Sequence, residues 1–294
     1  MEVVKLFNIS FEFFPPKSNE GMNQLLETAC LLEQCHPHFF SVTFGAGGSS
    51  RAGTIESVKM LQQHTKVAVA PHLACIGSDR GEILEILECY RSLGVQRIVA
   101  LRGDLPSGMV QCGDFHYASQ LISFIREVEG NRLHIEVAAY PEFHPQAVSA
   151  FDDVLNLKRK YDAGANSAIT QYFFNPDAYF YYLDDCERYG IHLPIIPGIM
   201  PITQFHKLAR FSDLCGAEIP YWIRKRLEAY GDDVESIKAF GIEVVSDLCQ
   251  KLIGGGAPGL HFYTLNKAEA VLQILGNLKI TPSRKKYAAL QTVP

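Results

Sequence analysis

The chain has 294 residues, 47% of them hydrophobic and 20% charged, with a formal net charge of −5. That balance suits a chain able to bury a substantial core. With no long basic run it argues against nucleic acid as the main partner and leaves a small molecule as the default. No stretch approaches the roughly 20 apolar residues of a membrane span, and Met1 to Asn8 lacks the apolar centre of a signal peptide, so the expected location is cytoplasmic. The eight cysteines are scattered with no CxxC pair, which predicts free thiols and not a disulfide framework.

The first predicted strand, Asn8 to Phe14, closes at Pro15-Pro16. By alternation Ser10, Glu12 and Phe14 share one face, and Ile9, Phe11 and Phe13 share the more apolar one. Ser18-Asn19-Glu20 then supplies cap chemistry for a helix to about Cys35. His38 to Phe44 reads as strand two, followed by Gly45-Ala46-Gly47-Gly48 and a helix from about Ser50 to Gln63. Strand three is Val67 to Leu73, with a helix from Ser78-Asp79 to about Leu93; strand four is Arg97 to Leu101, with a helix from Tyr117 to Glu129. His134 to Tyr140 is strand five, and a long helix from about Gln146 to Ala163 follows. Strand six is Ser167 to Phe174, with a helix opened by Asn175-Pro176. Strand seven is Pro194 to Ile199, two or three helical stretches fill Thr203 to Ile253, and strand eight, Leu260 to Leu265, leads to a final helix. Eight strands in strict alternation with helices predict a parallel sheet closed as a single (β/α)8 TIM barrel spanning residues 1–294, in the α/β class.

In such barrels the chemistry lies at the C-terminal ends of the strands. There this chain places Glu12, Thr43, His72, Arg102, Asp104, Tyr140, His144, Gln171, Tyr263 and Asn266, which together suggest a binding mouth. Glu12 is either a capping or ion-pairing carboxylate or, desolvated beside Phe14, an acid whose pKa is raised toward proton donation. Arg102 and Asp104 either pair locally or serve a ligand. In the second case Arg102 offers a fork for phosphate or a ring carbonyl, Gly103 permits close backbone approach, and Asp104 favours a developing cation. Asp153, Asn156 and Lys160 form one helical stripe, by default a solvated face and otherwise a ribose and phosphate rail. His72, Glu142 and His144 invite a metal reading, but their separation in sequence argues for no metal site. The Gly45 to Ser50 turn is a near miss for a dinucleotide fingerprint, and the aromatic run Phe173 to Tyr182 reads mostly as packing.

Nine words in order resemble the methylenetetrahydrofolate reductase family in its bacterial, single-domain form. They are SFEFFPP (Ser10 to Pro16), SVTFGAGG (Ser41 to Gly48), APHLAC (Ala70 to Cys75), IVALRGDLP (Ile98 to Pro106), VAAYPEFHP (Val137 to Pro145), LNLKRKYDAGA (Leu155 to Ala165), ITQYFF (Ile169 to Phe174), IIPGIMP (Ile195 to Pro201) and HFYTLN (His261 to Asn266). The resemblance implies a flavoprotein that uses FAD and NADH or NADPH to reduce 5,10-methylenetetrahydrofolate, by ping-pong hydride transfer, in methionine biosynthesis. It implies FAD contacts at Thr43, His72, Arg102, Gly103, Asp104, Tyr140, His144, Asp153, Asn156 and Lys160. Glu12 would be the general acid and Asp104 the stabiliser of the cation; Gln171 would hold the pterin, and Phe211 would stack as a mobile gate, with Tyr263 and Lys267 also at the folate site. Lys267 stands where the family commonly has arginine, so a carboxylate clamp there lacks the bidentate fork. A homo-oligomer is implied too. The rival expectations are another FAD-binding barrel enzyme, such as a proline dehydrogenase relative, and a folate- or flavin-binding partner subunit without turnover.

Overall fold

Inward and outward faces of the strands carry different chemistry, and that difference shapes the molecule. The computed structural model describes residues 8–44, 51–103 and 113–280. In β1 (Asn8–Phe13), Ile9, Phe11 and Phe13 are buried in the large apolar core between strands and helices, while Ser10 and Glu12 turn the other way. The expected alternation is therefore what the fold uses.

The strands run in parallel order β1, β2 (Phe39–Val42), β3 (Val69–Ala74), β4 (Arg97–Leu101), β5 (His134–Ala139), β6 (Ser167–Thr170) and β7 (Ile195–Ile196), with β8 (Gly198–Ile199) and β9 (Gly259–Tyr263) on the other side of β1. Strands β7 and β8 are two halves of the expected strand seven, split at Pro197. Proline has no N–H for the ladder, so the upstream half pairs with β6 and the downstream half with β9. The Pro197 carbonyl accepts from His261 N at 3.0 Å, and the sheet thereby forms an eight-position barrel of the (β/α)8 type.

Helices α1 (Asn19–Glu33), α2 (Arg51–His64), α3 (Arg80–Ser92), α4 (Ala118–Glu129), α5 (Ala150–Asp162) and α6 (Pro176–Arg188) follow the first six strands. Three more, α7 (Phe205–Cys215), α8 (Tyr221–Tyr230) and α9 (Val234–Gly254), separate β8 from β9, and α10 (Glu269–Asn277) comes after β9. Capping sets several starts: Ser18 accepts from Gly21 N, and Asp79 and Glu82 form a reciprocal box. The helix expected from Gln146 begins instead at Ala150, because Ser149 caps it by accepting from Asp152 N, while Gln146 N donates to the His144 ring. Strand six stops at Thr170 and not at Phe174. Tyr172, Phe173 and Phe174 are drawn into the apolar layer, where Phe173 stacks on Tyr179 with centroids 5.7 Å apart.

Inside the barrel a small apolar patch of Phe39, Ala70 and Ile169 separates two polar layers. Toward the N-terminal strand ends, Glu136 is paired with Arg97, bonded to Ser167 Oγ at 2.6 Å and 3.2 Å from His134 Nε2. Toward the C-terminal ends lies the layer described next. The seven cysteines among the described residues are free thiols. Among the described residues no helix is long and apolar enough to cross a membrane.

Candidate active site

Glu12 sits one residue before the end of β1, level with Ser41 of β2 and Tyr263 of β9, its side chain 18% exposed. Two imidazoles converge on it. His72 of β3 brings Nε2 to 3.3 Å from Glu12 Oε2, and His261 of β9 brings Nε2 to 3.5 Å from the same oxygen. Behind His261, Ser10 Oγ lies 2.7 Å from Nδ1, so Ser10, His261, Glu12 and His72 form one polar line across the barrel. The histidine Nε2 atoms are buried and lack a well-aligned hydrogen bond, as do the hydroxyls of Ser41 and Thr43. Buried polar atoms are rarely left so, which makes this mouth the candidate place for a bound group.

This arrangement corrects the expectation that desolvation raises the Glu12 pKa. Burial does push the carboxyl up, but its contact with His261 and the positive charge of His72 together outweigh that, and the pKa falls to about 2. The sequence offered no sign of this, because the two histidines arrive from β3 and β9.

Next to Tyr263, the residue level with Glu12 on β9, a cavity of ≈ 600 Å³ opens between the ends of β1, β8 and β9 and helices α7, α9 and α10. Phe14, Phe211, Tyr263 and Lys267 line it, so three of the four expected substrate residues gather there. Phe211 on α7 is 40% exposed, and Tyr263 anchors by donating from its hydroxyl to Thr170 O at 2.6 Å. Gln171, the fourth, follows β6 directly, and its Oε1 accepts from Tyr172 N at 3.0 Å. Asn266, expected as a mouth residue, lines the cavity and also ties β1 to the β9 end: its side-chain amide accepts from Phe14 N at 3.0 Å and donates to Phe14 O at 2.9 Å. Leu265 and Asn266 both take positive φ (51° and 56°) to make that clamp.

The expected cofactor residues lie around the adjoining sector. Thr43 follows β2, and its carbonyl accepts from Thr54 Oγ1 at 2.9 Å. Arg102 follows β4 and donates to Gly103 O and to Gln146 Oε1 in the β5–α5 loop. Gly103 has φ +89°, and a Cβ there would lie 2.8 Å from Ile76 Cγ2, so packing as well as any ligand demands glycine. In the β5–α5 loop, the Tyr140 and His144 rings meet edge to face with centroids 4.7 Å apart. The α5 stripe is not a solvated face: Asp153 is buried and accepts from His144 N at 2.8 Å, and Lys160 Nζ donates to Ala138 O. Burial pushes Lys160 down to about 8 against the nearby Asp153 charge. Asn156 differs in accepting from Arg159, so it does not join the inner pair. Asp104 and the Gly45 to Ser50 turn lie outside the described residues. Among the described residues no three His, Cys, Asp or Glu side chains group as a metal-ion site.

Ser10 and His261 were missed as site residues by sequence reasoning. The available signal was a serine and a histidine on the inward alternation of β1 and β9, where aliphatic residues usually fill a barrel.

Fold and site together define a (β/α)8 barrel with an acid and imidazole cluster at its mouth and a cavity at the ends of β1, β8 and β9. The profile of the family "Methylenetetrahydrofolate reductase" matches residues 2–279. The 5,10-methylenetetrahydrofolate reductase of Escherichia coli (strain K12) is 41% identical over 281 residues, which covers 96% of this chain and 94% of that protein. Methylenetetrahydrofolate reductase (NADH) 1 of Arabidopsis thaliana is 38% identical over 289 residues, covering 94% of this chain and 49% of that longer protein. Among solved structures, an uncharacterized Clostridium thermocellum protein that binds two copies of 5-methyl-5,6,7,8-tetrahydrofolic acid shares the fold (TM-score 0.62, 18% identity, 93% of this chain and 95% of that one). The chain belongs to the methylenetetrahydrofolate reductase family, oxidoreductases acting on methylenetetrahydrofolate.

Proposed function

We propose that the chain reduces 5,10-methylenetetrahydrofolate to 5-methyltetrahydrofolate with electrons from NADH or NADPH passed through FAD, in ping-pong order. The observation that carries this reading is Glu12, a carboxylate held by two imidazoles at the barrel mouth and level with Tyr263, which lines a cavity together with Phe211 and Lys267.

The residues present fit a flavin nucleotide. Thr43 Oγ1 lacks a partner at the mouth, Arg102 offers a guanidinium, and Lys160 is a partly buried cation beside Asp153. Asp104 would add a carboxylate near the reacting ring. Bound across these strand ends, FAD supplies a two-electron carrier between nicotinamide and folate.

The protein's own part is to orient substrate and manage one proton. Gln171 and Tyr263 flank the pterin position, Phe211 covers the ring, and Lys267 meets the tail carboxylate as a point charge. Glu12 is ionised at neutral pH, its carboxylate in contact with His72 and His261. When His72 turns Nε2 toward the cofactor, one charge holding Glu12 down is lost and burial works toward the protonated acid. Glu12 can then donate to the folate nitrogen as the imidazolidine ring opens to an iminium, and Ser10 and His261 connect it to the proton that replaces the one lost.

The test is a visible spectrum of the purified protein under anaerobic conditions, first with NADH and then with methylenetetrahydrofolate. A flavin band that bleaches with NADH and returns with the folate supports both half-reactions. Absence of flavin binding after FAD is added would sink the cofactor assignment, and a bleached flavin that the folate fails to reoxidise would sink the substrate.

A further inference from the structure

A second polar cluster, half-buried at Glu142, lies away from the acid line, where the β5–α5 loop meets the far end of α7. Glu142, two residues past Tyr140 and two before His144, turns from the mouth and accepts from the backbone N–H of Glu218 at 2.8 Å, across 76 residues of sequence. Beside it Gly216 has φ +77°, and a Cβ there would lie 2.9 Å from Pro145 Cγ, so loop and helix end are in contact by backbone as well as by side chain. Phe143, between the two contacts, is held at φ +59°, a conformation a bulky residue rarely adopts without support. From a third direction Tyr172, next to Gln171, lies with its hydroxyl 3.0 Å from Ser212 Oγ on α7. Ser212 is buried and its neighbour Phe211 lines the cavity, so the contacts that fix the end of α7 also fix the ring.

We propose that Glu142 is a positioning residue: its bond to Glu218 is a strut that ties the loop carrying Tyr140 and His144 to α7, and so sets where Phe211 stands over the substrate cavity. The proposal rests on the reading of Phe211 as the ring that covers the folate.

The strut responds to protonation. Burial pushes the Glu142 carboxyl up, the Glu218 N–H bond opposes this and the Glu218 charge adds to it, leaving the pKa at about 7. The groups that face it are Glu218 from the α7–α8 connection and Tyr172 from the loop after β6, neither of which brings a positive charge. A carboxyl raised above its unfolded value favours the closed junction at low pH and loses that preference as pH rises through 7. The junction therefore tightens below neutrality and loosens above it.

Trp222, the only tryptophan, lies four residues past Glu218 at the start of α8 and packs edge-on against Phe240, so its emission reads this corner without reference to turnover. In the full-length holoprotein its emission should shift in a transition centred near pH 7. In Glu142→Gln, which keeps an acceptor oxygen but is neutral at every pH, the emission should stay at the low-pH value. In Glu142→Ala it should match the high-pH wild type throughout, with the KM for methylenetetrahydrofolate raised about fivefold and restored by the Gln variant. A transition that persists unchanged in Glu142→Gln, or a wild type with none, would overturn the strut. The fluorescence behaviour in a protein without folate turnover would support the strut while overturning the reductase reading.

Discussion

The barrel interior holds two carboxylates at opposite ends, Glu12 and Glu136, both inward-facing and both held below the usual range, and their surroundings differ in kind. Around Glu136 every demand is met: Arg97, Ser167 and His134 all address it, and Arg97 also lies over Phe39 at 4.7 Å from the ring centroid. Around Glu12, among the described residues, two imidazoles approach at 3.3 and 3.5 Å, with no well-aligned hydrogen bond to their Nε2 atoms. A fully satisfied buried network locks geometry, whereas an unsatisfied one holds groups ready for a ligand. The same side chain in the same barrel is thus locked by its partners at one end and, on the proposed reading, left open for chemistry at the other.

That contrast can be broken from either end. The largest effect is expected for Glu12→Gln, which removes the proton donor: folate-dependent flavin reoxidation should slow by about 10²–10⁴-fold while reduction by NADH stays near wild type, measured by stopped-flow absorbance. Equal loss in both steps would take the acid role from Glu12. Glu136→Ala should instead leave an uncompensated Arg97 and cost about 3–5 kcal/mol of folding stability in urea titration, with the half-reactions of the remaining folded protein little changed. A normal unfolding midpoint would show that the lower network contributes little.

Lys160 sharpens the boundary between the two behaviours. Its depressed pKa means that the folded chain binds fewer protons than the unfolded one between about 8 and the normal lysine value, so protein stability rises with pH in that window. A flavin phosphate would need the charged form, so FAD affinity should fall as pH climbs above about 8. Lys160→Met should lose roughly tenfold in FAD affinity near neutrality and abolish the pH dependence, by fluorescence titration. The smallest effect belongs to Lys267→Arg, where a bidentate fork replaces a point charge. A KM for methylenetetrahydrofolate lowered by about two- to fivefold would locate a carboxylate there, and no change would remove Lys267 from the tail site.

Much of the frame could be read from sequence, since strands with one apolar face alternate with capped helices and need no tertiary information. The mouth was legible too, because His72, Tyr263 and Glu12 interrupt apolar runs at strand ends. What could not be read depends on partners distant in the chain. Glu12 is held ionised by His72 and His261 from other strands, and the α5 stripe turned inward because Lys160 found the Ala138 carbonyl. Likewise the division of strand seven at Pro197 shows only once both neighbours are in place, and Ser149 won the helix start from Gln146 through one local bond.

The clamp between Asn266 and Phe14 joins residues 252 apart, and the contact of Glu12 with His261 spans almost the same loop. Contacts of such separation form only after the entropy of closing nearly the whole chain has been met, so they belong to the late part of folding. The acid cluster is therefore not inherited from any early-forming piece. It comes into being in the same event that seals the barrel, and a chain stalled before β9 docks would carry Glu12 without the histidine that completes its line. An assembled acid cluster in this protein is a report that folding has finished.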